Sequence, residues 1–199
     1  MSHAIDPQLG QALQQASSPE DKVALLFDYM LEKGHSRYDE AVTQLEHGLQ
    51  AAYLANEAGA DAAEITAALF HDIGHLLVNE FDGTGDFLNE DLEHEFVAAD
   101  YLDPYFPPTV TEPIRLHVPA KRYLCSTDQD YHDLLSDASK RSFELQGGNL
   151  SPDEKAELDA HPHLQAALRL RRFDDQAKTS GLKVPEIDSY REPVFLSLL

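Results

Sequence analysis

Leu69-Phe70-His71-Asp72-Ile73-Gly74-His75-Leu76 is the stretch on which the fold turns. It sets an adjacent His-Asp pair, and a second histidine four residues on, inside an apolar run. On a continuous helix of 100° per residue, His71, Asp72 and His75 share about one 100° sector, flanked by Ile65, Leu69 and Leu76. The polar cluster therefore faces the core. Burying a carboxylate and two imidazoles costs several kcal/mol unless they pair or bind a cation, so a metal site is the first expectation.

Working outward, the pattern is helical almost throughout. Ser18-Pro19-Glu20-Asp21 is an N-cap with proline at N1, opening a helix that stops near Gly34. An Ala- and Leu-rich helix is predicted over 41–58, ended by Gly59. Asp61 caps the next, which runs to about Leu77 and carries the opening motif. Phe81 to Asp86 reads as a loop. Shorter helices are predicted over 91–103, 109–117 and 130–146, the last ending at Gly147-Gly148. Ser151-Pro152-Asp153-Glu154 repeats the cap pattern, 163–178 is a basic-ended helix, and the apolar segment Val194 to Leu199 docks on the body. No alternating strand pattern or internal repeat is present. The expected class is all-α.

At 199 residues the chain fits one domain, 1–199, with a motif-bearing core of about 38–178. It carries 36 acidic and 15 basic residues, a formal charge of −21, whose field repels nucleic acid and anionic membrane surfaces. A small anionic substrate is still admissible if a few cations are placed locally. Cys125 is the lone cysteine, which leaves neither an intrachain disulfide nor a thiolate metal site. No apolar run approaches a membrane span, and MSHAIDPQLGQ lacks a signal pattern, so a soluble cytoplasmic protein is expected.

Beyond the central trio, His47, His94 and His117 lie in helical contexts. His47 shares an inward face with Ala51, Leu54 and Ala58. Taken singly, each reads as a hydrogen-bonded core histidine, and Asp174 as a solvated helix acid. Jointly, these residues with His71 and Asp72 supply nitrogen and carboxylate ligands for two metals, with Asp72 able to bridge. Such donors suit iron, manganese or zinc. His3, His35, His132, His161 and His163 have no such context and read as surface or loop residues.

The order His47, His71-Asp72, His94, His117, Asp174 resembles the six-ligand dinuclear version of the HD-domain superfamily, all-α helical bundles around a metal site. Dinuclear members divide into phosphohydrolases and diiron oxygenases. The stretches His117 to Leu124, Ser139 to Ser142, Leu145-Gln146-Gly147-Gly148 and Leu170 to Lys178 resemble one branch: mixed-valent diiron oxygenases that cleave the C–P bond of 1-hydroxy-2-aminoethylphosphonates. The Gly-Tyr-Pro motif of cyclic-dinucleotide HD phosphodiesterases is absent from this sequence.

The resemblance implies a non-haem Fe(II)/Fe(III) pair with O2 as co-substrate. The Fe(III) would chelate substrate through its hydroxyl and a phosphonate oxygen. Hydrogen abstraction from C1 and oxygen transfer would then release phosphate and a carboxylate. It also implies a 2-oxoglutarate-dependent hydroxylase upstream. Catalytic roles fall to Asp72, His75 and Lys121; substrate binding falls to Tyr38, Glu40, His75, Lys121, Ser139, Ser142 and Arg171. Arg171 would hold phosphonate oxygens with its planar fork and Lys121 would act as a point charge. Without the resemblance, Ser139 and Ser142 read as a polar helix face, His75 as support for the metal site, and Tyr38 and Glu40 as loop residues.

At the amine end, Glu40 lies seven residues before His47, where the family places an acid near the substrate ammonium. Tyr38 lies two residues before Glu40, a departure from the primary-amine enzymes, in which that tyrosine can occupy the second iron. A trimethylammonium group is held by aromatic faces and diffuse negative charge. The sequence thus points to 1-hydroxy-2-(trimethylammonio)ethylphosphonate, giving glycine betaine. The alternatives are 2-amino-1-hydroxyethylphosphonate giving glycine, a metal-dependent phosphohydrolase, or a metal-stabilised regulatory domain.

Overall fold

The computed structural model describes residues 5, 7–38, 41–78 and 93–199, and within them twelve α-helices and no strand. One isolated bridge pairs Arg37 with Thr43. None of the described helices is long and apolar enough to cross a membrane. Three caps expected from sequence are made: Ser18, Asp61 and Ser151 accept from the backbone N–H three residues on, opening α2 (Pro19–Lys33), α4 (Ala62–Phe70) and α10 (Pro152–Asp159). Two features are additional: α1 (Pro7–Gln15), and the Thr43/Glu46 capping box that opens α3 (Gln44–Glu57).

The main correction lies in the opening motif. The helix predicted through Leu77 breaks at His71-Asp72, and a separate short helix, α5 (Ile73–Leu77), follows. Asp72 sits at φ −103°, ψ 10°, the sparsely populated bridge region frequent in active sites. His71, Asp72 and His75 therefore do not share one face of one helix. They converge because the chain turns between them.

Other boundaries differ for identifiable reasons. The α6 helix is His94–Leu102, entered through Glu93 at φ 52°. The helix predicted over 109–117 is α7 (Pro108–Thr127), twenty residues running through Pro113 and Pro119. An internal proline costs about 3 kcal/mol, but Val118, Ala120, Lys121 and Leu124 are all buried around and beyond Pro119, and their packing outweighs it. The predicted 130–146 helix is two, α8 (Gln129–Leu134) and α9 (Asp137–Leu145), divided where Ser136 caps α9. The basic helix is α11 (Leu164–Gln176). The loop expected over 81–86 lies outside the described residues.

The core gathers around Phe27, Phe70 and Phe106, whose rings follow one another at centroid distances of 6.5 and 6.1 Å. A second apolar cluster, Leu116, Ala120, Leu124, Leu158, Leu164, Ala167 and Leu168, joins α7 to α10 and α11. The C-terminal helix α12 (Arg191–Leu196) docks on α4 and α2 through fully buried Val194, as expected. Helices α3, α4, α7 and α11 pack against one another and supply the walls of the site.

Candidate metal centre

Six side chains from five places in the fold meet at one buried point. His47 comes from α3, His71-Asp72 from the α4–α5 break, His94 from the start of α6, His117 from mid-α7 and Asp174 from the end of α11. All six are buried. The two oxygens of Asp72 face different partners. Oδ2 lies 3.3 Å from Nε2 of both His47 and His71; Oδ1 lies 3.3 and 3.5 Å from Nε2 of His94 and His117. Asp174 Oδ1 adds a further oxygen 3.3 Å from His47 Nε2. One carboxylate thus spans two donor groups, one of two histidines and Asp174, the other of two histidines.

The ring orientations show what this arrangement requires. His47, His71 and His117 point Nδ1 at the main-chain carbonyls of Ala177, Ala68 and Ile114, at 2.8, 2.9 and 2.7 Å. A carbonyl only accepts, so each Nδ1 carries the proton and each Nε2 is left with a lone pair. His94 directs Nδ1 toward a carboxylate instead, Glu95 Oε2 at 3.6 Å. Yet Nε2 of His47 stands 3.1 Å from Nε2 of His71, and Nε2 of His94 stands 3.1 Å from that of His117. Two lone pairs at that range repel. A cation between each pair resolves the conflict, so the donor set fits two metal ions, with nitrogen and oxygen ligands and no sulfur.

Electrostatics agree. Burial raises the Asp72 pKa, but the surrounding imidazoles, His71 foremost, outweigh it and hold the carboxyl well below its usual range. Asp174 is likewise held down, against burial, by Arg171 and Lys178. Burial depresses His94, with His75 adding to the effect, and burial also depresses His117. His71 is raised, because Asp72 overcomes its burial. Two ionised carboxylates, with His94 and His117 resisting protonation beside Asp72, form a cage for positive charge supplied from outside.

The remaining sequence candidates surround this centre. His75 stacks on the His94 ring at 3.8 Å, and its Nε2 lies 4.0 Å from Asp72 Oδ1. With Asp72 and His94 it offers donor atoms within 4.8 Å of one another, close enough to reach the second metal position. Tyr38 stacks on His47 at 3.8 Å and 10°, its hydroxyl donating to Asp174 Oδ1 at 3.5 Å. Lys121 Nζ donates to Ser142 Oγ at 2.9 Å. Arg171 pairs with Asp174 Oδ2 at 2.6 Å. Glu40 lies outside the described residues.

Sequence reasoning missed Lys178, Tyr131 and Asp175. Lys178 Nζ donates to Ser139 Oγ at 3.3 Å, lies 3.8 Å from Asp174 Oδ1 and sits over the Tyr38 ring at 5.4 Å. The signal was its place one turn after Asp174. Two motifs also prove to be one device: Arg122 Nε donates to the carbonyl of Gly148 at 2.9 Å, pinning the Gly147-Gly148 corner to α7. Both glycines have positive φ, 98° and 62°, which favours glycine there.

Comparison with known proteins agrees with this construction. The HD domain family model matches residues 45–123, which hold five of the six donors and stop short of Asp174. The chain is 51% identical over 194 residues to hydroxymethylphosphonate dioxygenase of Gimesia maris, covering 98% of this chain and 96% of that one. The chain belongs to the HD-domain phosphonate dioxygenases. It is also 39% identical over 155 residues to the glycine-betaine-forming [1-hydroxy-2-(trimethylamino)ethyl]phosphonate dioxygenase of Leisingera caerulea, covering 77% of this chain and 79% of that one. An uncharacterised protein of Acanthamoeba polyphaga mimivirus is 37% identical over 163 residues, covering 79% and 73%. This dioxygenase is accordingly an oxidoreductase acting on an organophosphonate, as the C–P-cleaving resemblance implied.

Proposed function

We propose that the protein binds two iron ions and uses O2 to cleave hydroxymethylphosphonate into phosphate and formate. The observation that carries the substrate is the 51% identity, spread over nearly the whole of both chains, to a protein named for that activity. One O2 supplies the two oxygen atoms by which phosphate and formate together exceed the substrate, and the substrate has no amine to accommodate. Tyr38 supports this choice over the trimethylammonio substrate expected from sequence. One face of its ring is covered by His47 and the Lys178 ammonium approaches it at 5.4 Å, so the aromatic surface meant for a quaternary ammonium is already engaged by a cation.

When bound, a metal pair held by His47, His71, Asp72, His94, His117 and Asp174 would supply redox chemistry for passing electrons from the substrate to O2. The protein's part is to gather the phosphonate. Lys121 reaches Ser142, Lys178 reaches Ser139, and Arg171 and Lys178 both stand against Asp174, which gathers three cations beside that carboxylate. Crowding of these cations is visible in Lys121, whose pKa falls to about 7 through burial, with Arg171 and Lys178 adding to it. A phosphonate dianion relieves that repulsion, which suits the pocket to a compact anion.

Iron-loaded, partly oxidised protein, offered hydroxymethylphosphonate, 2-amino-1-hydroxyethylphosphonate and the trimethylammonio compound with and without O2, tests the proposal. Phosphate and formate should appear in equal amounts from the first substrate, and only with O2. Equal phosphate release under anaerobic conditions would overturn the oxidative reading, and a higher kcat/KM for the trimethylammonio compound would overturn the substrate.

A pH dependence follows from Lys121. In the free enzyme it is an ammonium below about pH 7 and loses its proton as the pH rises through that value. KM should therefore rise between about pH 7 and 9 while kcat changes less. Lys121→Met should keep both metals, raise KM by roughly 100-fold, about 2.7 kcal/mol for a lost buried charge partner, and lose this pH limb. An unchanged limb in the variant would assign it to another group.

A further inference from the structure

Arg171 is the most heavily committed side chain around the centre. Its Nη1 pairs with Asp174 Oδ2 at 2.6 Å, its Nη2 with Asp175 Oδ1, and its Nε donates to Tyr131 Oη at 3.2 Å. Tyr131 Oη in turn donates to Asp175 Oδ2 at 2.5 Å. Arg171, Asp175 and Tyr131 thus close a hydrogen-bonded ring in which each side chain holds the other two.

The ring joins two helices. Arg171 and Asp175 lie one turn apart on α11, and Tyr131 comes from α8. The segment after Tyr131 continues into α9, which carries Ser139 and Ser142. At its inner edge the ring ends on Asp174, which gives Oδ2 to Arg171 and Oδ1 to the metal side near His47. Of the five N–H groups of a guanidinium, Nε and one on Nη2 donate within the ring, while Nη1 makes the ion pair with Asp174.

We propose that Tyr131 and Asp175 are positioning residues for the dioxygenase reaction. They lock the plane of Arg171, which holds Asp174 through Oδ2 while Oδ1 faces His47, and which turns its remaining N–H groups to a phosphonate. Charge supports a positioning role. Asp175 sets a second carboxylate against Arg171, which weakens the field available to an anion; a residue present only to attract phosphonate would be better without it. What Asp175 adds is direction, since a carboxylate with a bonded phenol fixes a guanidinium plane. Tyr131 also fastens the α8–α9 segment, with its two serines, to the helix that bears Asp174.

The inference rests on the phosphonate reading of the site but not on which phosphonate is the substrate. Tyr131→Phe and Asp175→Asn should each retain two metals per chain and the wild-type far-ultraviolet circular dichroism. Each should weaken binding of methylphosphonate, an inert probe followed by calorimetry on metal-loaded protein, by about 10-fold. KM for hydroxymethylphosphonate should rise by a similar factor, with a smaller change in kcat. Arg171→Gln should weaken binding further, and adding Tyr131→Phe to it should have no additional effect, because Tyr131 acts through Arg171. Additive effects in that double variant, or unchanged methylphosphonate affinity in both single variants, would overturn the proposal. Wild-type protein that binds methylphosphonate but does not turn over hydroxymethylphosphonate would refute the substrate assignment and leave this inference standing.

Discussion

Replacing Asp72 with alanine is expected to remove both metals and reduce phosphate release to background. No other described side chain gives one oxygen to each pair of histidines: Oδ2 lies 3.3 Å from His47 and His71, and Oδ1 lies 3.3 and 3.5 Å from His94 and His117. Without it, one position retains two histidines and Asp174, and the other retains two histidines with His75 beside them and no carboxylate that spans both positions. Metal analysis should fall from two ions per chain to fewer than one. The stabilisation that bound metal confers, about 4 kcal/mol when free metal exceeds its dissociation constant a thousandfold, should disappear from thermal unfolding curves. Asp72→Asn keeps the side chain's shape and tests the same point with little disturbance to packing; its amide offers a single oxygen and cannot bridge. Two tightly held ions in either variant would show that the bridge is dispensable.

Gly74→Ala should have the next largest effect, through backbone geometry. A Cβ at residue 74 would overlap the His94 carbonyl oxygen and lie 2.8 Å from its carbonyl carbon and 3.1 Å from its Cα. All three atoms are backbone, so no rotamer change relieves the clash, and α6 must retreat from α5 by about 1 Å. Catalytic and metal geometry tolerates roughly 0.5 Å. His94 is the first residue of α6, so it moves with the clash and carries its Nε2 away from Asp72 and His117. The variant should hold about one metal per chain, at the His47–His71–Asp174 position, and lose oxygen-dependent turnover. Overpacking of this kind also costs typically about 1–3 kcal/mol of stability. Two metals with an unaltered spectrum would mean that α6 is free to shift without moving its histidine.

Much of this centre is legible in the amino-acid order alone. Caps at Ser18, Asp61 and Ser151 follow local rules, in which a side-chain oxygen meets an N–H three residues away, and local rules survive folding. The candidate donors His47, His71, Asp72, His94, His117 and Asp174 can be picked out by their joint order along the chain and its resemblance to HD proteins, and the structure buries all six. Pro119 misleads, since helix propensity is a weak prior that packing on both sides of α7 overrides. The α8–α9 division is hidden although Ser136 is an ordinary N-cap, because no glycine or proline marks the break before it.

Long-range pairings are not legible in this way. Tyr38 against His47, Tyr131 against Arg171, and Arg122 against Gly148 join residues 9, 40 and 26 positions apart, and no periodicity encodes such distances. Lys178 is visible as a residue yet not as a member of the site, because its partner Ser139 comes from a different helix. By itself the sequence determined the helical class and the caps at Ser18, Asp61 and Ser151, which depend on residue type and short spacing, and it singled out six candidate donors through their order along the chain. The tertiary structure alone decided that Asp72 turns its two oxygens to different histidine pairs, that four Nε2 atoms are forced together in pairs, and that Arg171 is clamped. The physical reason is that these depend on where helices distant in sequence cross, and those crossings are set by core packing and by one glycine's lack of a side chain.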